Sequence, residues 1–360
     1  YPSMMHSESG NVYPIGKPYF WKGDFIPDKA IGANKYYFVR VRTRFYIKPN
    51  KLPFIQIKTT FRYRGTECLE TSDVLNDQTG TYHKQYIDID GTVKEAINEM
   101  VLTMTDFKLL KDQYDLVDFE ILDGCWFYAQ AGIFDEYINK YKDMKIHSKG
   151  ARRELAKLFL NNLYGKMASS KDSSFKIAFE KDDGSLGFRL VPEHNKKAGY
   201  IPIGSAITSY ARNFTIRAAQ ANYYGINERG FIYADTDSIH CDLSQEEVKG
   251  INVHESAFCC WKLESFWDVA YFTRQKTYIE HVTHEDGEPV EKPYYDIKCA
   301  GMPQRCKDLF VQSMGIESEK RKLSEEEMKF VSVHRELEDF TEGLKITGKI
   351  MPKRIRGGIL

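Results

Sequence analysis

Phe231-Ile232-Tyr233-Ala234-Asp235-Thr236-Asp237-Ser238-Ile239-His240 sets two carboxylates two residues apart in a run that is otherwise apolar and β-prone. Isolated acids in such a hairpin are costly unless they are paired or bound to a cation. At this spacing one turn can aim both at a shared point, and hard oxygen ligands on a strand turn suit Mg²⁺, which shares its shell with water and phosphate oxygens. A solvent-exposed Asp-Thr-Asp turn accounts for the same residues equally well, so the motif alone leaves both readings open. A strand pair from about Tyr233 to Cys241 is expected in either case.

Working outward, Ile203 to Tyr224 reads as a helix. Ahead of it, Phe175-Lys176-Ile177-Ala178-Phe179 and Leu186-Gly187-Phe188-Arg189-Leu190-Val191 flank Asp183-Gly184, a hairpin signal. Phe134 to about Met167 has a helical pattern, broken near Ser148-Lys149-Gly150. Within it, Arg153-Glu154-Leu155-Ala156-Lys157-Leu158-Phe159-Leu160-Asn161-Asn162-Leu163-Tyr164-Gly165 groups Arg153, Lys157, Asn161 and Tyr164 in one narrow stripe, with Leu155, Leu158 and Phe159 opposite. Two cations one turn apart can clamp a triphosphate, Asn adds a two-sided hydrogen-bonding group, and Tyr offers a flat face to a base. A solvated helix face is the alternative, although such faces usually mix signs.

Further toward the start, Thr92 to Leu110 is expected to be helical. Lys35 to Arg64 contains nine Lys or Arg and no Asp or Glu. Val39-Arg40-Val41-Arg42-Thr43-Arg44-Phe45 alternates with period two, which on a strand puts Arg40, Arg42 and Arg44 on one face. Phosphate contact and an edge strand guarded by charge explain this equally well. Residues 1 to about 30 read as loop-rich, and Glu317 to Lys345 as charged and mostly helical.

Composition narrows the class. The 360 residues, 42% hydrophobic and 14% aromatic, suffice for more than one folding unit. Formal charge is zero, so basic surface for nucleic acid has to be local. Seven cysteines without a C-x-x-C pair read as free thiols rather than a zinc site. No apolar run approaches the roughly 20 residues of a membrane helix, and no signal peptide is recognisable at Tyr1, so an intracellular, cytoplasmic protein is expected.

Taken together, six segments in order resemble the motifs of family B DNA polymerases. Tyr233 to Ser238 resembles motif C and Lys157 to Gly165 motif B, with Asn162 where Ser is usual. Tyr1-Pro2 resembles the tail of motif A, and Thr208-Ser209-Tyr210-Ala211-Arg212 a template-contacting Thr-x-x-Ala-Arg element. Arg274-Gln275-Lys276-Thr277-Tyr278 resembles the Lys-x-Tyr primer motif, and Lys298-Cys299-Ala300-Gly301-Met302 the element before the thumb. Lys-Thr-Tyr, Lys-Cys-Ala-Gly-Met and Ser-Leu-Gly-Phe-Arg-Leu bring the likeness closest to the protein-primed branch.

The resemblance implies an α+β, right-hand polymerase fold of palm, fingers and thumb with two protein-primed-type insertions, truncated at both ends. By position, residues 1–30 are a palm segment after motif A, and 31–132 a first insertion that docks terminal protein and DNA and could begin near 8. Residues 133–168 are fingers, 169–200 a second, hairpin insertion, 201–298 the palm with motif C and the Lys-x-Tyr motif, and 299–360 thumb. Implied catalytic residues and metal ligands are Asp235 and Asp237. Tyr1, Lys145, Arg153, Lys157, Asn161, Tyr164 and Gly165 would bind nucleotide, with Tyr1 obstructing a ribose 2′-hydroxyl. Thr208 and Arg212 would contact template, and Lys276, Tyr278 and Lys298 primer. The implied cofactor is a pair of Mg²⁺ ions, replaceable by Mn²⁺. Primer-template DNA, deoxynucleoside triphosphates and a terminal protein are the implied partners of a monomeric enzyme working in the bacterial host of a phage or mobile element. The motif A aspartate and the exonuclease region are absent from these residues, so the chain as given is expected to be a fragment, inactive alone. A fragment that only binds primer-template or terminal protein is the alternative.

Overall fold

Val39, Val41, Thr43 and Phe45 are fully buried, and the arginines between them are not, so Lys35–Ile47 is a strand with the expected period of two. The computed structural model describes residues 1–56, 68–76, 78–171, 174–192, 197–316 and 323–340, plus the backbone of two short paired strands, Arg354–Ile355 and Gly358–Ile359. It has two compact units, one of Tyr1–Ile251 with Ser256–Cys260 and one of Asn252–Glu255 with Trp261–Leu360.

In the first unit, four antiparallel strands form a sheet in the order Tyr13–Lys22, Tyr114–Gln130, Lys35–Ile47, Asn98–Thr103. The basic strand is therefore internal, and the edge-strand explanation of its charge fails. Two of its three arginines, Arg40 and Arg44, meet acidic neighbours instead. Arg40 pairs with Asp123 at 2.5 Å and Glu99 at 2.6 Å, and Arg44 with Asp118 at 2.5 Å. These cross-strand pairs are half exposed, so each adds little stability. Lys58, Arg62 and Arg64 lie outside the described residues. On the Tyr114–Gln130 strand, between its two neighbours, a Cβ on Gly124 would come within 2.2 Å of Trp21 and 2.4 Å of the Phe38 carbonyl, so the close approach requires glycine.

The helix expected over Thr92–Leu110 is instead two strands, Val93–Glu95 and Asn98–Thr103, followed by a helix over Met104–Gln113. The Thr103 hydroxyl accepts from the Asp106 amide and starts that helix late. A long helix, Ile201–Ala221, buries small residues such as Ala206, Ala211, Ala218 and Ala219, which lets its neighbours pack close. Two further helices, Asp135–His147 and Gly150–Met167, break at the expected place. Leu160 and Leu163 from the second of these join Ile203 and Ile207 of the long helix and Met5 and Tyr13 in one core. Ile207 is fully buried there, which contributes about 1.5–3 kcal/mol. The expected hairpin is present as Ser174–Glu180 paired with Leu186–Pro192, turning at Gly184 with φ +76°.

The second unit is a three-stranded antiparallel sheet, Ser265–Arg274, Thr277–Glu285 and Glu288–Cys299, covered by a helix at Gln304–Ser313. Ile279, Ile297, Phe310, Leu337 and Phe340 form its core. The described part of the charged tail, residues 323–340, is less helical than expected. One seven-residue helix, Glu325–Val331, starts at a Ser324 capping box, and a single 3₁₀ turn follows at Leu337–Asp339. Residues 317–322 and 341–345 of that tail fall outside the described residues.

Candidate active site

Strands Phe231–Asp235 and Ser238–Cys241 pair antiparallel, with Asp235 opposite Ser238, leaving Thr236 and Asp237 as a two-residue turn. Thr236 sits at φ +53°, an uncommon conformation for a β-branched residue. Its backbone is held from outside, because the Thr215 hydroxyl on the Ile201–Ala221 helix donates to the Thr236 carbonyl at 2.9 Å. Its own hydroxyl donates to Asp235 Oδ1 at 3.0 Å. The Asp237 amide turns back onto the Asp235 carbonyl at 2.5 Å. The result is one half-buried and one exposed carboxylate on a tightly folded tip.

The Gly150–Met167 helix buries a stripe of Ala156, Leu160 and Leu163. Arg153, Lys157, Asn161 and Tyr164 lie to one side of that stripe, and all but the half-buried Tyr164 are exposed. Leu155, Leu158 and Phe159 lie to the other side and are largely exposed as well, so the core-facing side is neither of the two that the sequence contrasted. Among the described residues Lys157 and Asn161 have no hydrogen-bond or ion-pair partner, and Arg153 meets only its neighbour Glu154 at 3.6 Å. Gly165 is inside the helix, and a Cβ there would touch nothing within 4 Å. Packing within the chain does not demand a glycine at that position.

Tyr1 joins these elements. Its ring lies against that of Tyr164, centroids 4.5 Å apart and planes tilted by 40°. Burial, then Tyr164 and Asp237, push its phenol above the ordinary value, Arg212 pulls the other way, and Asp235 adds a smaller push. Tyr1, Tyr164, Arg212 and both carboxylates therefore share one electrostatic neighbourhood. Arg212 is anchored by Asp106, whose Oδ2 accepts from Arg212 Nη1 at 2.6 Å and from the Ser209 hydroxyl at 2.7 Å. The Thr208 hydroxyl is turned to the carbonyls of Gly204 and Ser205 in its own helix. Lys145 is half-buried near the end of the preceding helix.

The second unit carries its own group. Tyr278 and Lys298 are opposite each other on adjoining strands, and Lys276 occupies the tight turn just before, at φ +55°. Tyr278 is buried and stacks on Phe272 with centroids 5.1 Å apart. Lys298 is half exposed and reaches Asp296 at 2.8 Å.

Residues 1–255 match the model of DNA polymerase type B, organellar and viral. The chain belongs to this family. It is 34% identical to the DNA polymerase of Bacillus phage Nf over 371 aligned residues, covering 100% of the chain and 55% of that protein. It is 36% identical to the DNA polymerase of Bacillus phage phi29, covering 85% and 50%. The structure superposes on phi29 DNA polymerase complexed with primer-template DNA and incoming nucleotide with a TM-score of 0.69, covering 85% of this chain and 50% of that one. Against phi29 DNA polymerase complexed with single-stranded DNA the score is 0.71, covering 100% and 54%. The chain is thus a protein-primed family B polymerase sequence of mixed α+β fold, spanning about half the length of the relatives it matches.

Polymerases of this family use divalent metals, and the donor set can be tested against that. Asp235 and Asp237 supply two hard oxygen groups on one tip, which suits Mg²⁺ shared with water and triphosphate oxygens. Among the described residues no group of three or more His, Cys, Asp or Glu is placed to hold a metal. The pair alone fits a metal as part of a donor set. Asp106 is the polar residue that motif reading overlooked. Its signal was present, since Asp106 shares a helix face with Leu109, Leu110 and Gln113, all buried. Among the described residues no helix is long and apolar enough to cross a membrane.

Proposed function

We propose that these residues form the palm, fingers and thumb of a template-directed, protein-primed DNA polymerase, carrying out deoxynucleotidyl transfer. Asp237, with Asp235 beside it, would hold divalent magnesium, or manganese in its place. When bound, the metal stabilises the entering and leaving oxygens of the phosphoryl transfer. Lys157 and Arg153, one turn apart, grip the triphosphate, with Lys145 assisting and Asn161 adding hydrogen bonds. Tyr1 and Tyr164 line the nascent base pair, and the open space over Gly165 leaves room for it. Arg212 and Thr208 face the template, while Lys276, Tyr278 and Lys298 hold the primer strand. The sheet-bearing stretch from 31 to 132 serves as the terminal-protein and DNA-docking insertion, and the 169–200 hairpin as the second insertion. The enzyme acts as a monomer in the cytoplasm of a bacterial host.

One observation carries this reading: Tyr1 touches Tyr164, at the end of the Arg153–Lys157 stripe, while lying in the field of Asp237 and Asp235. Nothing in a solvated turn and a solvated helix face asks them to meet. The test is to graft these residues in place of the matching part of the Bacillus phage Nf polymerase and follow primer extension. The graft should extend primers, and Asp237→Asn or Lys157→Ala in it should not. Undiminished extension by both variants would refute the assignment.

A second reading, that the 360-residue chain by itself only binds primer-template or terminal protein, is favoured by the pair of carboxylates lacking a third group among the described residues. Primer extension and DNA-binding assays on the chain alone separate the two readings.

A further inference from the structure

The Ile201–Ala221 helix carries two threonines, Thr208 and Thr215, with Arg212 between them. Spaced at i, i+4 and i+7, the three share one helix face. A threonine inside a helix ordinarily turns its hydroxyl back onto a carbonyl three or four residues earlier. Thr208 does so, donating to Gly204 at 3.3 Å and Ser205 at 3.0 Å. The Thr215 hydroxyl leaves the helix instead and donates to the Thr236 carbonyl at 2.9 Å. Thr215 is buried, as are Ala211, Ala218 and Ala219 nearby. Alanine, the better helix former, would serve packing at such a position. The hydroxyl is what a threonine adds.

The carbonyl it holds belongs to a residue under constraint. Two-residue hairpin loops favour Gly, Asn or Asp where φ is positive, yet Thr236 stands there at φ +53°. Such a conformation persists only where the surroundings over-determine it. The Thr236 carbonyl and the Asp237 amide are the two ends of one planar peptide unit. Thr215 grips the oxygen, and the Asp235 carbonyl accepts from the amide at 2.5 Å. That peptide is therefore pinned on both sides. Without the Thr215 bond its oxygen is free to turn, and the side chain of Asp237 turns with it.

We infer that Thr215 is a positioning residue of the carboxylate tip: by pinning the Thr236–Asp237 peptide it aims Asp237 and keeps it in register with Arg212. Arg212 lies one turn earlier on the same face, about 4.5 Å along the axis at 1.5 Å per residue. Its own side chain is fixed by Asp106 at 2.6 Å, so one rigid helix edge sets both groups. The inference rests on the polymerase reading for what the tip holds.

The test titrates Mn²⁺ into the 360-residue chain with primer-template and a non-hydrolysable deoxynucleoside triphosphate, followed by electron paramagnetic resonance. Thr215→Val is close in volume and lacks the hydroxyl, and Thr215→Ala lacks it with a better helix former, so at least one should fold, as checked by thermal unfolding. Either should weaken bound Mn²⁺ by about 3- to 10-fold, the range of one buried hydrogen bond. Thr215→Ser keeps the hydroxyl and should bind within about twofold of the parent. The loss should shrink in a Thr236→Asn background, because Asn tolerates positive φ and needs less bracing. A loss of the same size there would put the effect outside the turn and overturn the inference. Variants that melt earlier yet bind Mn²⁺ as the parent does would leave Thr215 a purely structural role and also overturn it. In that case weakening by Asp237→Asn leaves the polymerase reading standing. An isotherm that neither Thr215→Val nor Asp237→Asn changes would overturn both.

Discussion

Tyr1 packs its ring on Tyr164 at a centroid distance of 4.5 Å, and burial first, then Tyr164 and Asp237, push its phenol above the ordinary value. On the proposed function, a rigid ring in that position would close the space next to an incoming sugar. Tyr1→Val should therefore admit ribonucleotides, lowering the preference for deoxynucleotides by about 10-fold or more, because one bulky contact is worth about 1–3 kcal/mol of discrimination. Competitive incorporation by the phage Nf graft checks this. Unchanged sugar preference would place Tyr1 outside the nucleotide pocket.

Gly165 separates packing from function. A methyl group there meets nothing within 4 Å among the described residues outside its own helix backbone, and replacing glycine by alanine inside a helix stabilises by about 0.5–1 kcal/mol. Gly165→Ala should raise the urea midpoint yet weaken nucleotide binding, if the space receives the nascent pair as proposed. A more stable variant with unaltered nucleotide affinity would show that the space is unused.

Asp106 is buried and accepts from both Arg212 and Ser209. Asp106→Ala should cost about 1–3 kcal/mol in urea unfolding by leaving hydrogen-bonding groups unmet. It should also lower primer-template affinity, because Arg212 loses its anchor. Arg212→Lys in the same assay distinguishes position from charge, since it keeps the cation and loses the fork.

Stability should fall on both sides of neutral pH. Burial pushes up the phenols of Tyr13, Tyr36 and Tyr114, and that of Tyr210 to about 12. A raised phenol keeps its proton in the folded chain after the unfolded chain has lost it. The contribution is thus complete below about pH 10 and drains away as pH climbs toward 12. On the acid side, hydrogen bonds from Arg305 and the Ser324 amide pull Glu327 from 4.5 down to about 2. Its contribution is complete above the ordinary carboxylate value and is lost as pH falls toward 2. Denaturant midpoints at pH 3, 7, 9.5 and 11 should fall at both ends. A midpoint unchanged between pH 9.5 and 11 would contradict the tyrosine burial.

What could be read from the sequence was what is local. The Asp235–Asp237 turn, the 174–192 hairpin and the break before Gly150 depend on residues within a few positions of one another, and each is where the pattern put it. The stretch Thr92–Leu110 misled because a real helix, Met104–Gln113, overlaps its end, while β-branched Val93, Val101 and Thr103 take the earlier part into strands. Arg40 and Arg44 were ambiguous for a different reason. Their partners Asp123 and Asp118 are 83 and 74 residues away, and only strand pairing brings them together. At the site, the stripe of Arg153, Lys157, Asn161 and Tyr164 was visible from helical period alone. Asp106, the anchor of Arg212, was not singled out although it shares a helix face with Leu109 and Leu110, because a single acid completes no motif.

Whether Asp237 holds a divalent metal together with nucleotide is tested most directly by electron paramagnetic resonance of Mn²⁺. The ion would be titrated into the 360-residue chain with saturating primer-template and a non-hydrolysable deoxynucleoside triphosphate. Protein-bound Mn²⁺ should appear with the nucleotide present, and Asp237→Asn should weaken it at least tenfold, about 1.4 kcal/mol, while DNA affinity is kept. The same Mn²⁺ isotherm for Asp237→Asn and the parent chain would contradict the metal role of the hairpin and the active site built on it.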